Sequence, residues 1–358
     1  MGSVVTLDLP FRQTTREARQ AALLHRFASE RRSDTDVFWL KENAEVLNIL
    51  SSTGAVLPPS ALGPFDTLYR TLDRRLGFFP QYYRFLLSLC LDLEDLGMAG
   101  DKGARAVEWV AAEGLVAAEL SDLQRAEARR LCLRRGVDPT SHDTGLDDRL
   151  RSFGSRSATF ALPNKKAAYE LTHIVFYLSE YGQRNPDLPA AFLDSLRFAG
   201  TVAFLEMNID LLAEICIALR FAGQTPPSTW ENWLAAQARH FVIEADSAGW
   251  MSDDYHPYLM VQWFLSAAGL GGFGAMLPEG GLRITAPRPH VAPLRELSEC
   301  MYSLEGDRVA DWSLMRTRID PLLTAEAREV VEAAEQAVDF DAFFHGFSRA
   351  ATAQGVPA

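Results

Sequence analysis

Residues 165–182 read KKAAYELTHIVFYLSEYG, and the way this stretch mixes apolar and ionisable residues decides the fold. Leu171, Ile174, Val175, Phe176 and Leu178 cover most faces of a helix of 3.6 residues per turn, so the helix is expected to be largely buried. Glu170, His173, Tyr177 and Glu180 stand at i, i+3, i+7 and i+10, which confines them to one narrow stripe. On a surface helix that stripe is simply the solvent face. On a buried helix it faces an internal cavity, where a histidine beside Glu and Tyr needs partners.

Working outward, residues 205–223 repeat the device. LEMNIDLLAEICIALRFAG places Glu206, Asp210 and Glu214 at successive i+4 intervals of another apolar helix. Three carboxylates on a solvated face cost only a few tenths of a kcal/mol per pair. Inside a lumen they demand a metal, a proton or an Arg from elsewhere, because only Arg220 follows on the same helix. In the third apolar helix, GWMSDDYHPYLMVQWFLSAAG, Ser252 or Asp253 can cap, Pro257 suits the first turn, and His256 falls at the N-terminus. The helix dipole disfavours an imidazolium there, so His256 is expected to stay neutral near pH 7. Asp253 and Asp254 as plain capping carboxylates, with His256 merely packed, is the competing reading.

Several apolar helices end at a glycine: Gly97, Gly136, Gly182, Gly223 and Gly269, at intervals of 39, 46, 41 and 46 residues. Each suits the left-handed position just past a helix. The even spacing accommodates two helices and two turns, with every second helix the more apolar. The expected fold is therefore all-α: repeated α-hairpins in an α/α toroid-like array, with an open α-solenoid or irregular helical bundle as alternatives. Helices are expected at roughly 12–31, 35–51, 64–78, 81–97, 104–136 with a break, 165–181, 188–222 with a break, 229–246, 257–270, 291–304 and 323–352 with breaks. Residues 1–137 form an N-terminal helical region, 138–164 a polar loop with room for one short helix, and 165–358 the helical region carrying the site, all in one continuous domain. A second irregular stretch spans 269–293; its GLGGFG follows no strand, which discounts a phosphate cradle.

The 358 residues carry a net charge of −12, which repels phosphate backbones and anionic lipid heads, so neither nucleic acid nor membrane is an expected partner. Cys90, Cys132, Cys216 and Cys300 lie far apart in apolar or helical runs and read as reduced, mostly buried thiols. The start MGSVVTLDLPFRQ lacks a basic, apolar leader, and no long apolar span occurs, so the cytoplasm is the expected compartment. Oligomeric state is not legible.

If the three apolar helices converge, Glu170 and His173, Asp210 and Glu214, and Asp254 and His256 meet. His173, Asp210 and His256 would then be metal ligands, suited to Zn²⁺, Fe²⁺ or Mn²⁺, with Glu170, Tyr177, Glu214 and Asp254 as catalytic groups. Without a metal, the same residues form an acid/base pair acting on a small-molecule substrate. His142 sits in the polar loop and could join from a lid, while His25, His240, His290 and His345 read as structural. Trp230, Trp233, Trp250, Trp263, Phe264 and Tyr258 suit a pocket lining or plain core.

The segments ELTHIVFYLSEYG, NIDLLAEICIALRFAG and DDYHPYLMV resemble a group of actinobacterial helical proteins associated with specialised-metabolite gene clusters, over roughly residues 140–270. That resemblance implies a tailoring enzyme and points to Glu170, His173, Asp210, Glu214 and His256. Two other classes stay open. DDYHP superficially resembles the Mg²⁺-binding aspartate run of terpene cyclases, but no acidic residue follows at the expected interval. A non-catalytic helical-repeat scaffold binding a peptide or protein on a concave face would tolerate loss of His173.

Overall fold

A computed structural model describes residues 13–246 and 252–350; Trp250 and the outermost residues of the first and last expected helices lie outside them. The N-terminal part comprises α1 (Arg16–Ser29), α2 (Val37–Ser52), α3 (Asp66–Arg70), α4 (Leu72–Phe78), α5 (Tyr83–Asp95), α6 (Lys102–Ala112) and α7 (Asp122–Leu133). There follow α8 (Leu146–Gly154), α9 (Ser157–Phe160), α10 (Lys165–Leu178), α11 (Ala190–Leu205), α12 (Ile209–Phe221) and α13 (Ser228–Gln237). A small antiparallel sheet, β1 (Val242–Ala245) with β2 (Leu282–Thr285), brackets α14 (Tyr255–Ala267) and pairs Val242 with Thr285 and Ala245 with Leu282. The chain then runs through α15 (Pro293–Ser303), α16 (Trp312–Ile319), α17 (Ala325–Ala337) and α18 (Phe340–Phe347). The fold is all-α, and no helix among the described residues is long and apolar enough to cross a membrane.

Helix ends follow local chemistry. Asn164 caps α10 by accepting from the Ala167 amide, and Asn208 caps α12 by accepting from Leu211. Four of the five glycine stops close their helices in one way: Gly97, Gly136, Gly223 and Gly269 all have positive φ, and the amides at and just after each glycine return to the last-turn carbonyls. Gly182 is the exception. Glu180 and Tyr181, at φ 51° and 54°, take the left-handed closure two residues early, with Tyr181 N bonded to Phe176 O at 2.8 Å. Arg130 holds this strained pair, its guanidinium 4.1 Å over the Tyr181 ring and 3.4 Å from Glu180.

Three expectations need correction. Residues 242–245, read as the end of a helix, form β1. The region 138–164 is not one loop, because Leu146 and Leu150 of α8 and Phe160 of α9 are buried against the bundle. The short α16 was not foreseen; its buried Trp312, Met315 and Ile319 are interleaved with polar residues over barely two turns.

Packing runs in series: α2 on α5, α5 on α7, α7 on α10, α10 on α12, and α12 on α14. The start of α14 also meets the N-terminal segment. Phe27 of α1 packs edge-on against Tyr255, with ring centroids 6.1 Å apart, and Arg31 holds Asp253 at 2.9 Å. All four cysteines are free and buried.

Candidate functional site

The six helices of that series line one cavity of about 440 Å³. From α2 come Lys41, Glu45 and Asn48, from α5 Arg84, Phe85 and Ser88, and from α7 Glu127. Tyr169, His173, Phe176 and Tyr177 project from α10, Asp210 and Glu214 from α12, and His256, Met260 and Trp263 from α14. The sequence stripes on α10 and α12 therefore face this cavity in their central parts. Glu206 and Glu180 do not: Glu206 pairs with Lys165 at 3.0 Å, and Glu180 pairs with Arg130 and Arg184.

Glu214 is the hub. Its carboxylate is 1 % exposed and lies between the two imidazoles, with Oε2 3.7 Å from His173 Nδ1 and Oε1 3.7 Å from His256 Nε2. The buried Thr172 hydroxyl donates to Oε2 at 2.6 Å. Burial alone would raise the Glu214 pKa, yet the neighbouring His256, His173 and Thr172 hold it below the usual carboxylate range. Asp210, one turn earlier, accepts from the Tyr169 hydroxyl at 2.6 Å and lies 3.7 Å from His256 Nε2.

His256 differs from expectation. Its Nδ1 hydrogen-bonds Glu45 of α2 while Nε2 faces Asp210 and Glu214. Burial opposes the charged ring, but Glu45 and Glu214 raise its pKa to about 10. His256 is thus an imidazolium at neutral pH, because three carboxylates outweigh the helix dipole at its position. This ring is also a cation beside the Asp210 and Glu214 carboxylates, each 3.7 Å from Nε2.

His173 is held differently. Nδ1 donates to the Tyr169 carbonyl at 2.7 Å, which leaves Nε2, on a residue of the cavity wall, as the ring nitrogen without a protein partner among the described residues. The ring packs near Phe176 and Tyr177, with centroids 5.6 and 5.9 Å away.

Of the residues expected from sequence, His173, Tyr177, Asp210, Glu214 and His256 share the cavity wall, whereas Glu170 and Asp254 are not among its lining residues. Asp254 instead accepts from the Ala286 amide at 2.9 Å, and Asp253 holds Arg31 and the Ile284 amide. The DDYHP carboxylates therefore aim α14 by clamping its first turn to β2. His142 is exposed in its turn. Trp263 lines the cavity; Trp230, Phe264 and Tyr258 are buried core. Glu45, Tyr169, Thr172 and Arg84 were missed. The criterion that found α10 would have found two of them, since Lys41, Glu45 and Asn48 stand at i, i+4 and i+7 of an apolar helix and Arg84 precedes Ser88 by four.

Among the described residues, no group of three or more His, Cys, Asp or Glu side chains is arranged to hold a metal ion. The donor chemistry explains this: both His256 nitrogens face carboxylates, and Asp210 is engaged by Tyr169.

Fold and site together define an all-α protein whose serially packed helices bring a half-buried acid–imidazole network, centred on the buried Glu214, to an aromatic-walled cavity. The chain belongs to the family described as Domain of unknown function (DUF6902), which matches residues 1–350. No curated protein and no solved structure matches it.

Proposed function

We propose that the chain is an enzyme that moves a proton on a small molecule held in this cavity, with His173 as general base. The observation that carries this reading is the Tyr169 carbonyl bond to Nδ1, which leaves Nε2 as the nitrogen to take a proton while Glu214 lies beside the ring. When Nε2 takes a proton the ring becomes an imidazolium, and the Glu214 carboxylate 3.7 Å away stabilises that charge. His256, already charged, keeps Glu214 ionised and in place. The six lining helices form, in this reading, the inner wall of a toroid-like array. The resemblance of residues 140–270 to proteins of specialised-metabolite gene clusters supports a tailoring role, and the four buried thiols suit the cytoplasm.

The test is deuterium uptake. Incubation of the protein in D₂O with a mixed extract of small molecules is expected to label one or more compounds by mass spectrometry, and His173→Gln to abolish the labelling. Identical labelling by both proteins overturns the reading. A second reading, assistance by Zn²⁺, Fe²⁺ or Mn²⁺, is favoured by the convergence of both imidazoles on Glu214 and requires His256 to give up its proton. It predicts that untagged protein stripped with a chelator loses the labelling and regains it with one of these ions; labelling unaffected by stripping retires it.

A further inference from the structure

The aromatic wall of the cavity contains hydrogen-bond donors that no protein acceptor uses. Tyr177 is 8 % exposed and lines the cavity, yet its hydroxyl makes no hydrogen bond among the described residues. The charges that act on this hydroxyl include Glu127 and Arg84, which line the same cavity. Trp263, 3 % exposed and in the same wall, has an indole N–H with no acceptor. The Trp263 N–H is fully enclosed, whereas the Tyr177 hydroxyl is not, so Tyr177 is the donor left open to an acceptor that arrives with the ligand.

The surroundings restrict what that acceptor is. The carboxylates that line the cavity are already matched, Glu127 by Arg84 and Glu45, Asp210 and Glu214 by the His256 ring, so an uncharged ligand leaves this charge balance undisturbed. Phe176, Tyr181 and Trp263 make a continuous apolar wall, with Tyr181 stacked on Trp263 at 5.8 Å and Phe176 tilted against it at 5.0 Å. An uncharged molecule with a flat or apolar body and a neutral acceptor oxygen fits both constraints. Tyr177 follows His173 by one helical turn, with ring centroids 5.9 Å apart, so one small group can reach both.

We propose that the substrate is a neutral, largely apolar carbonyl compound whose oxygen accepts from the Tyr177 hydroxyl while an adjacent C–H faces His173 Nε2; this rests on the general-base reading above. The C–H bond breaks and its proton goes to Nε2. The electron pair forms a C=C bond as the carbonyl π pair moves onto oxygen, giving an enolate held by the Tyr177 O–H. Return of the same proton from the imidazolium, to the original carbon or to a conjugated one, restores a carbonyl. Atoms and electrons balance without a co-reactant, and the net result is proton exchange or isomerisation. Burial keeps the Tyr177 phenol well above its ordinary pKa, so it remains a donor throughout.

Acetophenone and ethylbenzene, which share a body and differ in the acceptor oxygen, test this. Acetophenone is expected to bind the wild type about tenfold more tightly than ethylbenzene, the effect of one added hydrogen bond. Tyr177→Phe should erase that preference while leaving ethylbenzene affinity unchanged, which also shows that the variant is folded. The acetyl methyl protons should exchange with D₂O faster in the presence of the wild type, by NMR, and His173→Gln should remove that acceleration without removing the binding preference. Equal or unmeasurable affinities for the two compounds, or a preference kept in Tyr177→Phe, overturns the proposal. If His173-dependent deuterium uptake is instead found on compounds lacking a carbonyl and is undiminished in Tyr177→Phe, the carbonyl assignment falls while the general-base reading stands.

Discussion

His256 shows why a residue's protonation is a property of its neighbours. Position alone put it at a helix N-terminus, where an imidazolium costs a fraction of a kcal/mol to about 1 kcal/mol. Carboxylates on α2 and α12 reverse that by drawing the pKa up to about 10, with Glu45 the first contributor after the opposing effect of burial. Glu45→Gln should therefore lower the His256 pKa, read by NMR titration of the ring protons. A His256 that titrates unchanged in this variant would show that Glu45 does not hold the charge. Glu214→Gln should act on both imidazoles, and the deuterium uptake assigned to His173 should fall with it, because the charge formed on the ring loses its counterion. Undiminished uptake in Glu214→Gln would leave His173 working without that partner.

At the scale of helices, two glycines separate backbone strain from packing. Gly223 closes α12 at φ +71° with nothing near an added Cβ, so Gly223→Ala should cost about 1 kcal/mol through the left-handed conformation alone. Gly154 ends α8 in an ordinary conformation, but a Cβ there would lie 2.0 Å from the ring of Phe192, which is fully buried in α11. Gly154→Ala should therefore be the more damaging, at roughly 1–3 kcal/mol or above. Denaturant unfolding of the two variants checks the order; a larger loss in Gly223→Ala would mean that α8 and α11 are not tightly seated. The same pair illustrates legibility. Gly223 announces itself after a run of helix formers, whereas the role of Gly154 depends on a residue 38 positions away that no local pattern couples to it (192 − 154 = 38).

For the whole molecule, the joint between the first helices and α14 decides stability and pH response. Arg31 has a side chain 6 % exposed and bridges Glu42 and Asp253, themselves 1 % and 5 % exposed. Arg31→Ala leaves buried carboxylates short of a cation and should cost about 3–5 kcal/mol. A loss below about 1 kcal/mol in denaturant unfolding would show that the joint is dispensable. The His256 charge adds a pH dependence of known sign. Its folded pKa, about 10, exceeds the ordinary 6.5, so its stabilisation is complete below about pH 6.5 and is lost as pH rises toward 10. Unfolding free energy measured across that window should decline in the wild type and decline less in His256→Phe; parallel profiles would remove His256 from the account.

Apolar residues recurring at helical spacing, and the capping and stop residues between them, were enough to specify an all-α chain and to mark His173, Asp210, Glu214 and His256, because both signals act within a few residues of backbone. Asp254 became a clamp for β2 across 32 positions, and Glu45 became a partner of His256 and made the imidazolium stable only when helices 211 positions apart were packed together. Local order is written in short-range sterics and hydrogen bonds. Charge state and the company a side chain keeps depend on distances through space, and those exist only in the folded molecule.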